Sequence, residues 1–149
     1  MVSGFDNLEE EIMTDLRSAY TETVVDHAVN PRNVGSIPNP DGFATVTGSC
    51  GDTVQIWLRV KDDVVADVTF WTDGCGATIA SGSMVTELAR GKNIISALKV
   101  SQQDVLNALD GLPEGNHHCA LLAANTLKEA VRDYLAYKKE PWKKAYRKH

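Results

Sequence analysis

The run Val64-Val65-Ala66-Asp67-Val68-Thr69-Phe70-Trp71 is dense in β-branched and aromatic residues and predicts a strand. Two more strand candidates precede it, at about Gly42–Thr47 and 53–60. Only Lys61-Asp62-Asp63 joins the last two, a connection short enough for a hairpin, so antiparallel pairing is the expected arrangement. From residue 77 the pattern changes. Ala80, Met84 and Leu88 recur at helical spacing until Gly91, predicting a helix over 77–90. Gly82 inside it costs about 1 kcal/mol relative to Ala, which implies close packing there. Ser101 with Asp104 resembles a capping box opening a helix that carries Val105, Leu106 and Leu109 and stops at Gly111. After the break Leu112-Pro113-Glu114-Gly115-Asn116, residues Ala120, Ala124, Leu127, Val131 and Tyr134 give the clearest amphipathic helix of the chain. Pro141 then permits a last short helix with Trp142 and Tyr146 on one face. Upstream, Leu16, Ala19, Tyr20, Val24 and Ala28 share a face, with Thr14 as N-cap, and predict a helix over 15–29 ended by Asn30-Pro31. Pro31, Gly35, Pro38, Pro40 and Gly42 mark the loop that follows.

Composition narrows the class without naming a function. At 149 residues, 43% hydrophobic and 23% charged, the chain has one ordinary globular domain's worth of residues and no apolar run long enough for a membrane span. Its first residues are acidic and lack a signal or transit pattern, so a cytoplasmic location is expected. Net charge is −5, but residues 138–149 carry six Lys/Arg against one Glu, or +5, which leaves −10 for residues 1–137. An acidic body argues against nucleic acid as the main partner and treats the basic tail as a solvated helix end.

Three cysteines are too few for a disulfide scaffold and odd in number, which favours reduced thiols acting as ligands or nucleophiles. Cys75 sits between Gly74 and Gly76 where a predicted strand gives way to a predicted helix. A sulfur there lies near free helix N–H groups and the positive end of the macrodipole, which favours the thiolate that binds metal. The flanking glycines would allow unusual backbone angles and leave room for a bulky group beside the sulfur. Cys50-Gly51-Asp52 falls in the turn between the first two strands, and connectivity would bring it to the sheet end that carries Cys75. Cys119 follows His117 and His118 at the start of the amphipathic helix. Bringing Cys50, Cys75 and Cys119 together with His118 or Asp52 would make a thiolate-rich, four-ligand site suited to Zn²⁺ or an iron–sulfur cluster. Spacing does not choose between them. The plainer readings are a buried inert cysteine for Cys75, a turn residue for Asp52 and packing or capping for His27. His117 and His118, adjacent on a helix, point in different directions, so at most one joins the site.

The ordered set Tyr20-Thr21-Glu22-Thr23-Val24-Val25-Asp26-His27, Asn30-Pro31-Arg32-Asn33-Val34-Gly35, Cys50-Gly51-Asp52, Gly74-Cys75-Gly76-Ala77-Thr78-Ile79-Ala80-Ser81, Thr86-Glu87, Gly91-Lys92 and His118-Cys119 closely resembles the U-type iron–sulfur cluster assembly scaffolds, IscU and the N-terminal domain of NifU. The resemblance covers 19–138, leaving 1–18 and a basic 139–149 as extensions without an assigned role. It implies an α+β fold, with a small three-stranded antiparallel sheet packed on helices and a helical C-terminal half. It also implies a non-catalytic scaffold for a [2Fe–2S] cluster, with iron and sulfur as its inputs, a cysteine desulfurase as sulfur donor and apo iron–sulfur proteins as recipients. Carried over residue by residue, Cys50, Cys75 and Cys119 are the thiolate ligands, His118 and Asp52 the candidates for the remaining position, and Cys119 the persulfide acceptor. A homo-oligomer is compatible with this reading, as is Zn²⁺ in the cluster-free form.

Two departures bear on partners. Where the family often reads Leu-Pro-Pro-Val-Lys, the segment recognised by its dedicated Hsp70-type chaperone, this chain has Leu112-Pro113-Glu114-Gly115-Asn116, which puts chaperone-driven release in doubt. Asn116 also replaces a frequent lysine, while His117 adds a potential ligand. One rival is a zinc-bound SufU-like protein that accepts persulfide and carries no cluster. That branch typically has an insertion after the second cysteine and lacks the histidine, whereas this chain has His118 and no evident insertion. A redox enzyme using Cys75 or Cys119 as nucleophile is the other, and no Cys-x-x-Cys motif supports it.

Overall fold

The computed structural model describes residues 19–142. Helix α1 (Glu22–Val29) leads through a long loop to strands β1 (Gly42–Thr47), β2 (Thr53–Lys61) and β3 (Val64–Thr72). Helices α2 (Gly76–Ala89), α3 (Ile94–Leu98), α4 (Gln102–Ala108) and α5 (His117–Lys139) follow, with a 3₁₀ turn at Glu114–Asn116 before the last. The strands form an antiparallel sheet in the order β1-β2-β3. This is the α+β arrangement expected, with the helical half following the sheet.

The β2–β3 hairpin turns on Asp62 (φ 53°) and Asp63 (φ 59°) between the paired residues Lys61 and Val64. Two successive left-handed residues are the type I′ geometry whose twist matches paired strands, and Asp tolerates it better than bulkier residues. Asp63 then receives hydrogen bonds from Lys138 Nζ (2.7 Å) and Tyr134 Oη (2.8 Å), which tie the hairpin tip to the end of α5. A bulge between Arg59 and Val60 shifts the register without moving the inward face, where Val54, Ile56, Leu58, Val65, Val68 and Phe70 are buried. Helix α5 lies across β1 and β2, and α2 across β3. Gly82 makes the second contact possible: a Cβ there would stand 2.6 Å from Cδ2 and Cε2 of the buried Phe70 ring. The close packing inferred from an interior glycine is present.

The first helix departs from expectation. The expected helix is interrupted: Ala19 is helical, Tyr20 bends, and α1 begins at Glu22 because Thr21 takes an extended conformation (φ −65°, ψ 160°) and its Oγ1 accepts the Val24 N–H at 3.1 Å. The same hydroxyl donates to the Leu109 carbonyl at 2.6 Å, anchoring the cap to the end of α4. The expected cap Thr14 and the extension 1–18 lie outside the described residues, as does the part of the C-terminal extension beyond Trp142. The short α3, capped by Asn93 whose side chain accepts the Ser96 N–H, was not expected from periodicity. The Ser101–Asp104 capping box forms with both of its bonds, and Gly111 closes the segment in the left-handed region at φ 95°. Among the described residues, no helix is long and apolar enough to cross a membrane.

Candidate metal centre

The sheet end opposite the Asp62–Asp63 hairpin gathers the reactive side chains. Its last pairs are Thr47 with Thr53 and Val54 with Thr72, so the β1–β2 turn and the exit of β3 are neighbours. The Thr53 N–H donates to Asp73 Oδ1 at 2.8 Å and Thr72 Oγ1 donates to the Thr53 carbonyl at 2.7 Å, fixing one against the other. In the turn, the Gly51 N–H donates to the Gly48 carbonyl (3.0 Å) and the Gly48 N–H to the Asp52 carbonyl (2.9 Å). Gly51 supplies the left-handed backbone, φ 90°, that this reversal needs. Cys50 therefore stands exposed at the tip, with Asp52 turned back toward the body of the protein.

Cys75 is the N-cap of α2, and one turn into that helix the fully buried Thr78 becomes the meeting point. Thr78 Oγ1 lies 3.0 Å from Asp52 Oδ2, 3.3 Å from Cys119 Sγ and 3.8 Å from Cys75 Sγ. His118 Nε2 lies 3.6 Å from Cys119 Sγ. Gly74 is what allows this approach: a Cβ on it would fall 2.7 Å from Thr78 Cβ and 2.8 Å from Asp52 Oδ2. The expected reason for the flanking glycines is thus corrected. Neither Gly74 nor Gly76 adopts a left-handed backbone, and the space Gly74 leaves is filled by Thr78 and the Asp52 carboxylate.

The two inner cysteines differ in character. Burial works to push the Cys75 thiol up, but the Thr78 N–H, the Thr78 hydroxyl and the Ala77 N–H outweigh it and hold the thiol below the ordinary cysteine range. None of these N–H groups makes a formal capping bond to the sulfur, so the effect is that of nearby helix-end dipoles, as expected for a cysteine at this junction. Cys119 is 1% exposed, and burial pushes its thiol up, with the Thr78 hydroxyl opposing and negative charge at Cys75, Cys50 and Asp52 adding to the rise.

Cys50, Cys75, Cys119, Asp52 and His118 thus belong to one sheet end. Among the described residues, no group of three or more His, Cys, Asp or Glu side chains is arranged to hold a metal ion as it stands. Cys50 is the outlying member. His117 turns away: its Nε2–H donates to the Leu112 carbonyl at 3.0 Å, so of the adjacent pair His118 alone faces the sulfur. His27 is a packing residue, buried with Nδ1 2.7 Å from Ser83 Oγ and held below the ordinary histidine range by that burial and by Arg32. Asn116 donates through Nδ2 to Tyr20 Oη at 2.8 Å and is a structural tie. Thr78 is a site residue not expected from the sequence. Its signal was its position three residues after Cys75, a spacing that shares one helix face.

The NifU-like N-terminal domain model matches residues 19–141. The iron–sulfur cluster assembly scaffold protein IscU 1 of Archaeoglobus fulgidus is 48% identical over 116 residues, covering 77% of this chain and 76% of that protein. IscU of Escherichia coli K12 is 41% identical over 121 residues, covering 78% and 94%. Among solved structures, a NifU-like N-terminal domain from Brucella abortus superposes with a TM-score of 0.63 at 23% identity over 81% of this chain and 97% of its own, a likeness of fold. A SUF-system candidate scaffold from Fervidobacterium islandicum AW-1 does so at 0.66 with 24% identity, over 76% and 97%. With its ordered cysteines, its α+β fold and this breadth of similarity, the chain belongs to the NifU-like N-terminal domain family, which includes the IscU scaffolds.

Proposed function

We propose that this protein is a scaffold, and not an enzyme, on which a [2Fe–2S] cluster is built from iron and from sulfur supplied by a cysteine desulfurase, then passed to apo iron–sulfur proteins. The cluster is its cargo. The observation that carries the reading is the gathering of two cysteine sulfurs and a carboxylate on the single buried hydroxyl of Thr78, at the sheet end whose turn presents the third cysteine. The role for which the relatives are named supports it. Cys50, Cys75 and Cys119 are the thiolate ligands, with His118 or Asp52 in the remaining position. Three thiolates with one nitrogen or oxygen donor fit iron–sulfur ligation, and equally a Zn²⁺ ion in the cluster-free form. A site open at Cys50 suits cargo that must go in and come out. Closing it brings the Gly51 turn over the other ligands.

Cys119 is the proposed persulfide acceptor. Being buried, it needs the His118–Cys119 turn opened by the desulfurase before sulfur can reach it. Thiols that must stay reduced suit a cytoplasmic location. Residues 19–138 form the scaffold domain, with the flanking segments as extensions. The departures at Leu112-Pro113-Glu114-Gly115-Asn116 leave a dedicated chaperone out of this proposal. The zinc-bound sulfur-transfer reading uses the same donors, and one assay separates the two. Anaerobic incubation with ferrous iron, cysteine, a cysteine desulfurase and excess dithiothreitol to reduce the persulfide sulfur to sulfide should give visible charge-transfer absorption and equal amounts of iron and acid-labile sulfide. Cys50→Ser, Cys75→Ser and Cys119→Ser should each lose most of both, because a hydroxyl is a poorer donor to iron than thiolate. Zinc and persulfide without labile sulfide would establish the alternative, and wild-type loading in two of the three variants would overturn the shared site.

A further inference from the structure

The Thr78 hydroxyl reaches Asp52, Cys75 and Cys119 together, and it is not itself among the expected ligands. A threonine hydroxyl has one proton to donate. Two acceptors compete for it, the Asp52 carboxylate at 3.0 Å and the Cys119 sulfur at 3.3 Å. The carboxylate bond is charge-assisted and the shorter of the two, and such bonds are roughly twice as strong as neutral ones. Gly74 keeps the space for this contact, since any side chain there would strike both Thr78 and Asp52 Oδ2. Thr78 is fully buried, so its hydroxyl has no water as an alternative partner. The geometry points to Thr78 as a positioning residue. Its hydroxyl holds the Asp52 carboxylate against the Cys75–Cys119 pair, so that the hard, readily exchanged oxygen donor faces the metal position and sets how fast metal leaves.

The inference rests on the scaffold reading and deepens it. Oxygen donors exchange from soft, thiolate-rich sites more readily than sulfur does. Without the hydroxyl, Asp52 is free to turn to solvent and the soft ligands alone hold the metal. The probe is Co²⁺, whose sulfur-to-metal charge-transfer bands count thiolate ligands and whose removal by excess EDTA is followed by their decay. Thr78→Val keeps the shape and deletes the hydroxyl. It should retain the bands and release Co²⁺ about tenfold more slowly, a change of the size that supporting residues make at metal sites but opposite in sense to the usual loss of affinity. Thr78→Ser should restore the wild-type rate. Asp52→Ala should match Thr78→Val, and the double variant should be no slower than either.

A wild-type rate in Thr78→Val, no rescue by Ser, or further slowing in the double variant would each overturn the assignment, the last because it would place the effect at Cys119. If Thr78→Val fails to fold, Gly74→Ala breaks the same contact from outside and should give the same slow release, with a wild-type rate overturning the assignment. Failure of the underlying reading looks different: without the shared site the wild-type protein would show no thiolate-to-cobalt bands at all, and with the site but no scaffold role it would show the bands yet give no acid-labile sulfide on reconstitution.

Discussion

Cys75 and Cys119 lie within reach of one hydroxyl, yet their surroundings set them apart. Cys75 is exposed at a helix N-terminus with its thiol held down, whereas Cys119 is buried with its thiol pushed up. Thiolate fraction and access both govern alkylation. Iodoacetamide at pH 7.5 should therefore label Cys75 early and Cys119 last, as read by peptide mass spectrometry over a time course. Early labelling of Cys119 would mean that its turn opens unaided. The desulfurase should reverse this order if it opens that turn, so the two reagents together separate intrinsic reactivity from guided delivery. At this scale the cysteines, Asp52 and His118 were legible because their residue types carry metal chemistry wherever they stand. Thr78 was not, since a threonine inside a helix reads as core until the carboxylate and sulfur from two distant elements are seen to converge on it.

The elements that build the site are held by packing whose demands can be read one position at a time. Helix α2 carries Cys75 and Thr78 and is pressed onto β3 at Gly82, against the Phe70 ring. Gly82→Ala would gain about 1 kcal/mol of helix propensity. It would also force a methyl to 2.6 Å from a ring that is 1% exposed and has nowhere to go, and overpacking of a filled core costs roughly 1–3 kcal/mol. The expected outcome is a lower urea midpoint at unchanged m-value, together with weakened Co²⁺ binding as α2 shifts off β3. An equal or higher midpoint would show that Phe70 has room to yield. The strands, their hairpin, the capping box and the long α5 were all legible because each rests on local signals. The start of α1 was not. Thr21 starts a new helix there because its hydroxyl is used twice, on the Val24 N–H and on the Leu109 carbonyl, and the second partner is remote in sequence. Helix α3 is five residues long, too short to show a period.

On the scale of the whole molecule, the fold's contribution is to bring three chain segments of unlike kind to one edge. A strand-to-strand turn offers Cys50 and Asp52, a strand-to-helix junction offers Cys75, and a loop-to-helix junction offers His118 and Cys119. The sheet and the two helices across it fix the second and third. The first remains at the surface on a glycine-hinged turn. A ferredoxin, by contrast, keeps its cluster behind four thiolates, and the proposed ligand set here supplies three with a harder donor beside them. That difference suits a protein that holds a cluster in order to give it away. The direct measurement is transfer. Anaerobically assembled [2Fe–2S] protein is mixed with apo-ferredoxin and excess EDTA, and circular dichroism in the visible range follows the cluster from one protein to the other. For a scaffold that hands its cluster on directly, the holo-ferredoxin signal grows as the scaffold signal falls and its yield survives the chelator. A scaffold signal that persists beside apo-ferredoxin, or a yield that EDTA abolishes, would contradict it.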